Sequence, residues 1–186
     1  MKIVVLKFGG TSVGTIKKIK KVADIIKNYK KKNYKVIVVS SAMNCVTNGL
    51  IKQSKDISAN FSDAEYDVLL SSGETVACSL IAGRLIHKGF KSRSWLAWQI
   101  PIFTKGSYKN SRIKLINKNK ILKYLREGGI PIIAGFQGIN HEERITTIGR
   151  GGSDASAIMI AKFFKAQRCV IYTDVEGVYT TDPNKL

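Results

Sequence analysis

Lys7-Phe8-Gly9-Gly10-Thr11-Ser12 is preceded by Lys2-Ile3-Val4-Val5-Leu6 and followed by Val13-Gly14 and a long amphipathic stretch. The apolar, β-branched run reads as a buried strand. A strand, a glycine turn and a helix start in that order build an anion site. Glycines let backbone N–H groups approach a phosphate, and the helix N-terminus adds partial positive charge. Gly9 and Gly14 have the spacing of a P-loop, but Thr15-Ile16 stands where Lys-Ser/Thr would be required. The lysine sits instead at the strand's end, two residues before the first glycine, which disfavours a Walker-type nucleotidase. On the hexapeptide alone, a glycine-rich turn with an incidental lysine is an equally good reading.

Outward from this turn, a helix is expected over residues 15–29, where Ile16, Ile19, Ala23 and Ile26 share one face and lysines occupy the other. Val36-Ile37-Val38-Val39 is a second continuous apolar strand, as parallel sheets require, and strand–helix–strand makes a right-handed crossover unit. That strand runs into Ser40-Ser41-Ala42-Met43-Asn44 and then Cys45-Val46-Thr47-Asn48. Ligands of open α/β sheets bind beyond the carboxyl ends of strands, so these small polar residues suit a pocket beside the glycine turn. A serine-rich turn capping the next helix fits equally well.

Residues 63–87 have a helical pattern that is expected to break near Ser71-Ser72-Gly73. Glu74 lies there among apolar neighbours and needs a partner or a ligand. It suits either the first turn of a helix, favoured by the dipole, or the wall of a pocket. Residues 90–102 read as a mixed strand segment and residues 104–111 as a mobile loop. A helix follows near 117–126, ended by Gly128-Gly129, then a strand at Ile130-Pro131-Ile132-Ile133-Ala134. A second glycine cluster, Thr146 to Asp154, feeds an alanine-rich helix over 155–164. Its Arg150 has the chemistry to hold a carboxylate or phosphate bidentately, and Ser153 or Asp154 suits an N-cap. A last strand over 168–172 leads into a polar loop, Thr173 to Pro183, placed to cover a nucleotide's base and ribose.

A length of 186 residues supports one domain. No apolar run reaches the roughly 18 residues of a membrane span and no leader is present, so a cytoplasmic protein without membrane contact is expected. Cys45, Cys78 and Cys169 are widely spaced and read as free thiols; with only two histidines besides, a zinc site is disfavoured. The net charge of +18 permits nucleic-acid binding. Because 24 of the 31 basic residues are lysines spread over helix faces and loops, solvated surface is the preferred reading, with no nucleic-acid partner.

In this order, Lys7 to Ser12, Ser40 to Met43 with Val46-Thr47-Asn48, Leu70-Ser71-Ser72-Gly73-Glu74, Ala134 to Gly138, Thr146 to Asp154 and Tyr172 to Tyr179 with Thr181-Asp182-Pro183 resemble the amino-acid kinase family, most closely its aspartokinases. The resemblance implies a three-layer αβα sandwich around a mainly parallel central sheet. It further implies transfer of the ATP γ-phosphate to the side-chain carboxylate of L-aspartate, with Mg²⁺ carried by ATP. The product is 4-phospho-L-aspartate, the first step towards lysine, threonine, methionine and diaminopimelate.

By this likeness Lys7 neutralises the transferring phosphoryl group, Asp154 orients Lys7, and Gly9 and Gly10 bind phosphate through N–H groups. Ser41, Thr47, Glu74, Arg150, Gly151, Gly152 and Ser153 surround the aspartate. Thr173, Asp174, Tyr179 and Asp182 line the nucleotide site. A carboxylate is already a nucleophile, so the reaction requires positioning and charge neutralisation rather than a general base. Two departures stand out. Asn44-Cys45 replaces the family's small residues, and the chain ends before the helices that bring another lysine and before the regulatory ACT domains. Residues 1–186 are therefore expected to be a kinase domain truncated at its C-terminal end. It would act as a homodimer or with a separately encoded C-terminal part; the alternative is an inactive fragment or non-catalytic subunit of a split or decayed enzyme.

Overall fold

In the computed structural model, residues 1–149 and 151–173 are described. Among these residues the main sheet has five strands in the order β3-β6-β2-β1-β9, all parallel. These are β1 (Ile3–Phe8), β2 (Lys35–Ser40), β3 (Ser92–Trp95), β6 (Ile130–Ala134) and β9 (Arg168–Tyr172). Side chains of a strand alternate between faces, and the two cores follow that alternation. Val4, Leu6, Phe8, Val36 and Val38 pack with α1 (Ile16–Lys31) and α3 (Asp63–His87). Ile3, Val5, Ile37 and Val39 pack with α4 (Asn119–Arg126) and α5 (Gly152–Phe163). The result is the expected three-layer sandwich. Lys7 shares the parity of Ile3 and Val5, so it belongs to the α5 face.

Helix α1 begins at Thr15, whose hydroxyl accepts the Lys18 N–H at 3.2 Å, an N-cap of the ordinary kind. Its Ile19, Val22, Ala23 and Ile26 are buried, while lysines fill the outer face.

Helix α3 runs unbroken for 25 residues, and the expected interruption at Gly73 does not occur. Gly73 is there for closeness. A Cβ on it would stand 2.8 Å from the Ala42 Cβ, in the segment between β2 and α2 (Val46–Ile57). Glu74 is therefore mid-helix, which removes the first-turn reading. By length and composition α3 could cross a membrane, yet it packs on the sheet and buries Asp67 and Glu74, the behaviour of a core helix.

A second sheet, of mixed direction and order β5-β4-β7-β8, was not foreseen. Within residues 90–102 only Ser92–Trp95 forms a complete strand, and Leu96 to Pro101 turn away. β4 (Ile102–Lys105) and β5 (Arg112–Ile116) pair as a hairpin, so Thr104 and Lys105 are strand rather than loop. β7 (Gln137–Ile139) and β8 (Ile145–Thr147) form the other hairpin. Thr104 joins the two, its hydroxyl 2.7 Å from that of Thr146 and donating to the Ile139 carbonyl at 3.0 Å. Gly138, which reads as a turn residue, is required by packing: a Cβ there would meet Thr104 Cγ2 at 2.2 Å.

Gly73→Ala tests the close approach of α3. An exposed helical glycine would gain about 1 kcal/mol on such a change. Here overpacking against Ala42 outweighs that gain, and urea unfolding is expected to show a net loss of about 1–3 kcal/mol.

Candidate active site

β1, β2 and β6 all end at one edge of the main sheet, and a cavity of about 300 Å³ opens beyond them. Ser41, Thr47, Glu74, Gly151, Gly152 and Ser153 line it, so six of the seven residues expected around the substrate converge. Arg150, with Asp174, Tyr179 and Asp182, lies outside the described residues. Ser41 and Ser153, 112 positions apart, meet hydroxyl to hydroxyl at 2.8 Å. The close packing of Gly135 permits this, since a Cβ there would press on the Ser153 Cβ at 2.9 Å and the Ser40 carbonyl at 3.1 Å.

Lys7 is only 6% exposed. Its ammonium sits 2.6 Å from Asp154 Oδ1, in the first turn of α5, and Oδ1 has no hydrogen-bond partner besides this charge contact among the described residues. A buried cation without a carboxylate would be strongly unfavourable, and the parity of β1 delivers the lysine to the one helix that supplies it. The ammonium also hangs over the glycine turn, 3.4 Å from where a Gly9 Cβ would be.

The turn itself departs in part from expectation. The Gly9 N–H donates to the Tyr172 carbonyl at 3.1 Å, which ties β1 to β9 and occupies that donor. The N–H groups of Gly10 and Thr11 have no hydrogen-bond partner among the described residues, so the free donors of this turn are at Gly10 and its successor. Gly10 lines the first cavity; Thr11 and Ser12 line a second, of about 280 Å³, which includes Thr173, Lys18 and Lys21. The glycine turn is the wall between the two.

Glu74 is 4% exposed. Its Oε1 accepts the Ala42 N–H at 3.0 Å and its Oε2 has no partner among the described residues. Burial pushes its carboxyl up to about 7, against the pull of the Ala42 hydrogen bond. A buried oxygen without a donor, in a cavity wall, is suited to a cationic group of a ligand.

Sequence reasoning missed Asp67, although it lies seven residues before Glu74 on the same buried helix face. Its carboxylate accepts the Thr147 N–H and hydroxyl at 2.7 and 2.6 Å and the Lys109 N–H at 3.0 and 3.1 Å. It thereby fixes the end of β8, two residues before Gly149. Gln137 was also missed: it donates to the Ser71 carbonyl at 3.2 Å and accepts the Ala97 N–H at 3.1 Å, joining β7 to α3 and to the turn after β3. An acid or amide recurring within an apolar helical or strand pattern is the available signal for both.

The model of the amino acid kinase family matches residues 2–186. The chain belongs to this family. It is 52% identical to an aspartokinase of Rickettsia conorii over 98% of this chain and 46% of that protein, and 48% identical to one of Bacillus sp. over 98% and 44%. Thus it spans about half the length of the curated relatives it matches. Among solved structures, E. coli aspartokinase III in complex with aspartate and ADP superposes with a TM-score of 0.86 at 27% identity, over 98% of this chain and 52% of that one. Aspartate kinase from Synechocystis gives 0.82 at 42% identity, over 97% and 30%.

Two outcomes are expected from the buried acids of α3. Asp67→Asn places an NH₂ against N–H donors and should cost about 2–3 kcal/mol in chemical unfolding. For Glu74, the folded chain holds a proton that the unfolded chain releases near 4.5. Stability should therefore fall as pH rises from about 4.5 to about 7, by up to about 3 kcal/mol. Unfolding curves of Glu74→Gln should be flat across that window.

Proposed function

We propose that the site transfers the γ-phosphate of ATP to the side-chain carboxylate of L-aspartate, giving 4-phospho-L-aspartate and ADP in the cytoplasm, at the entry to lysine, threonine, methionine and diaminopimelate synthesis. The observation that carries this reading is the Lys7–Asp154 pair beside a cavity that offers both an unpaired buried carboxylate oxygen and the N-terminus of α5.

In this reading the unpaired Oε2 of Glu74 takes the α-ammonium of the substrate, and Arg150 takes its α-carboxylate. Ser41, Thr47 and Ser153 offer hydroxyls, and the first N–H groups of α5 favour negative charge at the reacting end. The side-chain carboxylate attacks the γ-phosphorus in line. An O–P bond forms, the bond from the γ-phosphorus to the β–γ bridging oxygen breaks, and that oxygen leaves with ADP. Lys7 offsets the charge on the transferring oxygens, while Asp154 holds the ammonium in place. Gly10 cradles the phosphates. Thr173, Asp174, Tyr179 and Asp182 are assigned to the nucleotide. Mg²⁺ carried on the triphosphate would supply charge neutralisation there when bound.

Aspartate-dependent ADP release with Mg²⁺-ATP tests this reading. Lys7→Ala should lower the rate by roughly 10²–10³-fold, the usual cost of removing one preorganised transition-state donor. Glu74→Gln should raise the aspartate KM with a smaller change in kcat, and the KM of the unsubstituted chain should fall as pH rises through about 7. Equal release with glutamate or with no acceptor, in a folded preparation, would refute it.

A further inference from the structure

The reaction above makes no use of most of the +18 charge, nor of either tryptophan. A cleft of about 690 Å³ at the β3 edge of the main sheet shares no lining residue with the two cavities beside the glycine turn. Arg93 and Trp95 come to it from β3, Trp98 from the turn that follows, and Lys120, Lys123 and Tyr124 from α4. The α4 positions 120, 123 and 124 and the C-cap residue 127 lie three and four apart, so one helix face forms the wall.

Two properties of this wall point to a ligand. Its cations outnumber its one carboxylate. The one lining carboxylate, Glu127, is already paired with Lys91 at 2.6 Å, with Lys123 adding only a longer-range attraction to it, whereas Lys120 donates to the Gln99 carbonyl at 3.0 Å, and among the described residues no acid lies within ion-pair distance of Arg93, Lys120 or Lys123. Its aromatics leave one ring open. The Arg93 guanidinium lies 4.1 Å over the Trp95 ring, which meets Tyr124 edge-on at 5.7 Å, and the Trp98 ring is 55% exposed beside them. Lysines on a helix are common solvated surface. An indole left more than half in water beside three cations without a carboxylate in ion-pair contact is less usual. The Trp95 Nε1 is, besides, a buried donor with no partner among the described residues.

We propose that this cleft binds a nucleoside phosphate, with the base on Trp98 and the phosphate between Arg93, Lys120 and Lys123. A flat ring and a compact dianion are the two features the wall complements, and the volume falls within the range of about 300–1,000 Å³ for small-molecule sites. The site is separate from the phosphoryl donor's and does not depend on the aspartate reading.

The chain supplies its own probe, because both of its tryptophans line this cleft. AMP, which has no γ-phosphate to transfer, is titrated against the whole chain while tryptophan emission is followed. Saturable quenching is expected at sub-millimolar AMP, with adenosine and inorganic phosphate each at least tenfold weaker. Lys120→Gln with Lys123→Gln should weaken AMP by roughly tenfold or more, with the emission of the free protein unchanged as the sign of an intact fold. Trp98→Ala, measured by calorimetry, should weaken it by roughly tenfold as well. No saturable quenching by AMP, or the same affinity in the double variant, overturns the proposal. So does quenching by a uridine oligonucleotide but not by AMP, which would give the cleft to single-stranded nucleic acid. A preparation inactive on aspartate that still binds AMP here would refute only the kinase reading.

Discussion

A parallel sheet brings every strand's carboxyl end to one edge, and this chain keeps that edge clear by ending strands in small residues. β1 runs into Gly9, β2 into Ser40 and Ser41, and β6 into Ala134 and Gly135. The space left beyond them is the cavity. The same strand geometry selects what enters it from the sheet: along β1 the odd positions face α5, so Lys7 meets Asp154 while Leu6 and Phe8 disappear into the opposite core. Shifting β1 by one residue would bury the ammonium among Ile19, Ala77 and Ile81, with no carboxylate to receive it. The ion pair thus enforces the register as well as equipping the site.

Helix α3 holds the other side together with two acids one heptad apart. Asp67 is saturated with donors and grips the end of β8; Glu74 is half saturated and leaves one oxygen over for a ligand. The contrast separates support from recognition. A carboxylate with every lone pair engaged rigidifies its surroundings, while one with an idle oxygen in a cavity is held ready for something that is not protein.

The main sheet was legible because buried parallel strands are continuous apolar runs, and Val36 to Val39 or Ile130 to Ala134 allow little else. The gathering of Ser41, Thr47, Glu74 and Ser153 was legible through the order of the motifs, not through any one of them. The second sheet was not legible. β7 and β8 are three residues each, too short for alternation to register, and Gly138 imitates a turn while serving a close contact with Thr104. Gly73 misled in the same manner: within a helix its missing side chain marks a near neighbour rather than a break. Glycine's two uses, conformational freedom and lack of bulk, cannot be told apart in one dimension.

The pairing of the first strand with the last described one also sets an order of assembly. β1 is flanked by β2 on one side and β9 on the other, and the Gly9 N–H waits for a carbonyl at Tyr172. On the ribosome, β1 and β2 can zip as soon as β2 has emerged behind α1, but the far edge of β1 stays bare until more than a hundred further residues have been made. An unpaired edge of Ile3, Val4, Val5 and Leu6 is a template for mispairing. The glycine turn is closed only when β9 arrives, after the other described strands of the main sheet, so its closure reports that those strands have been gathered.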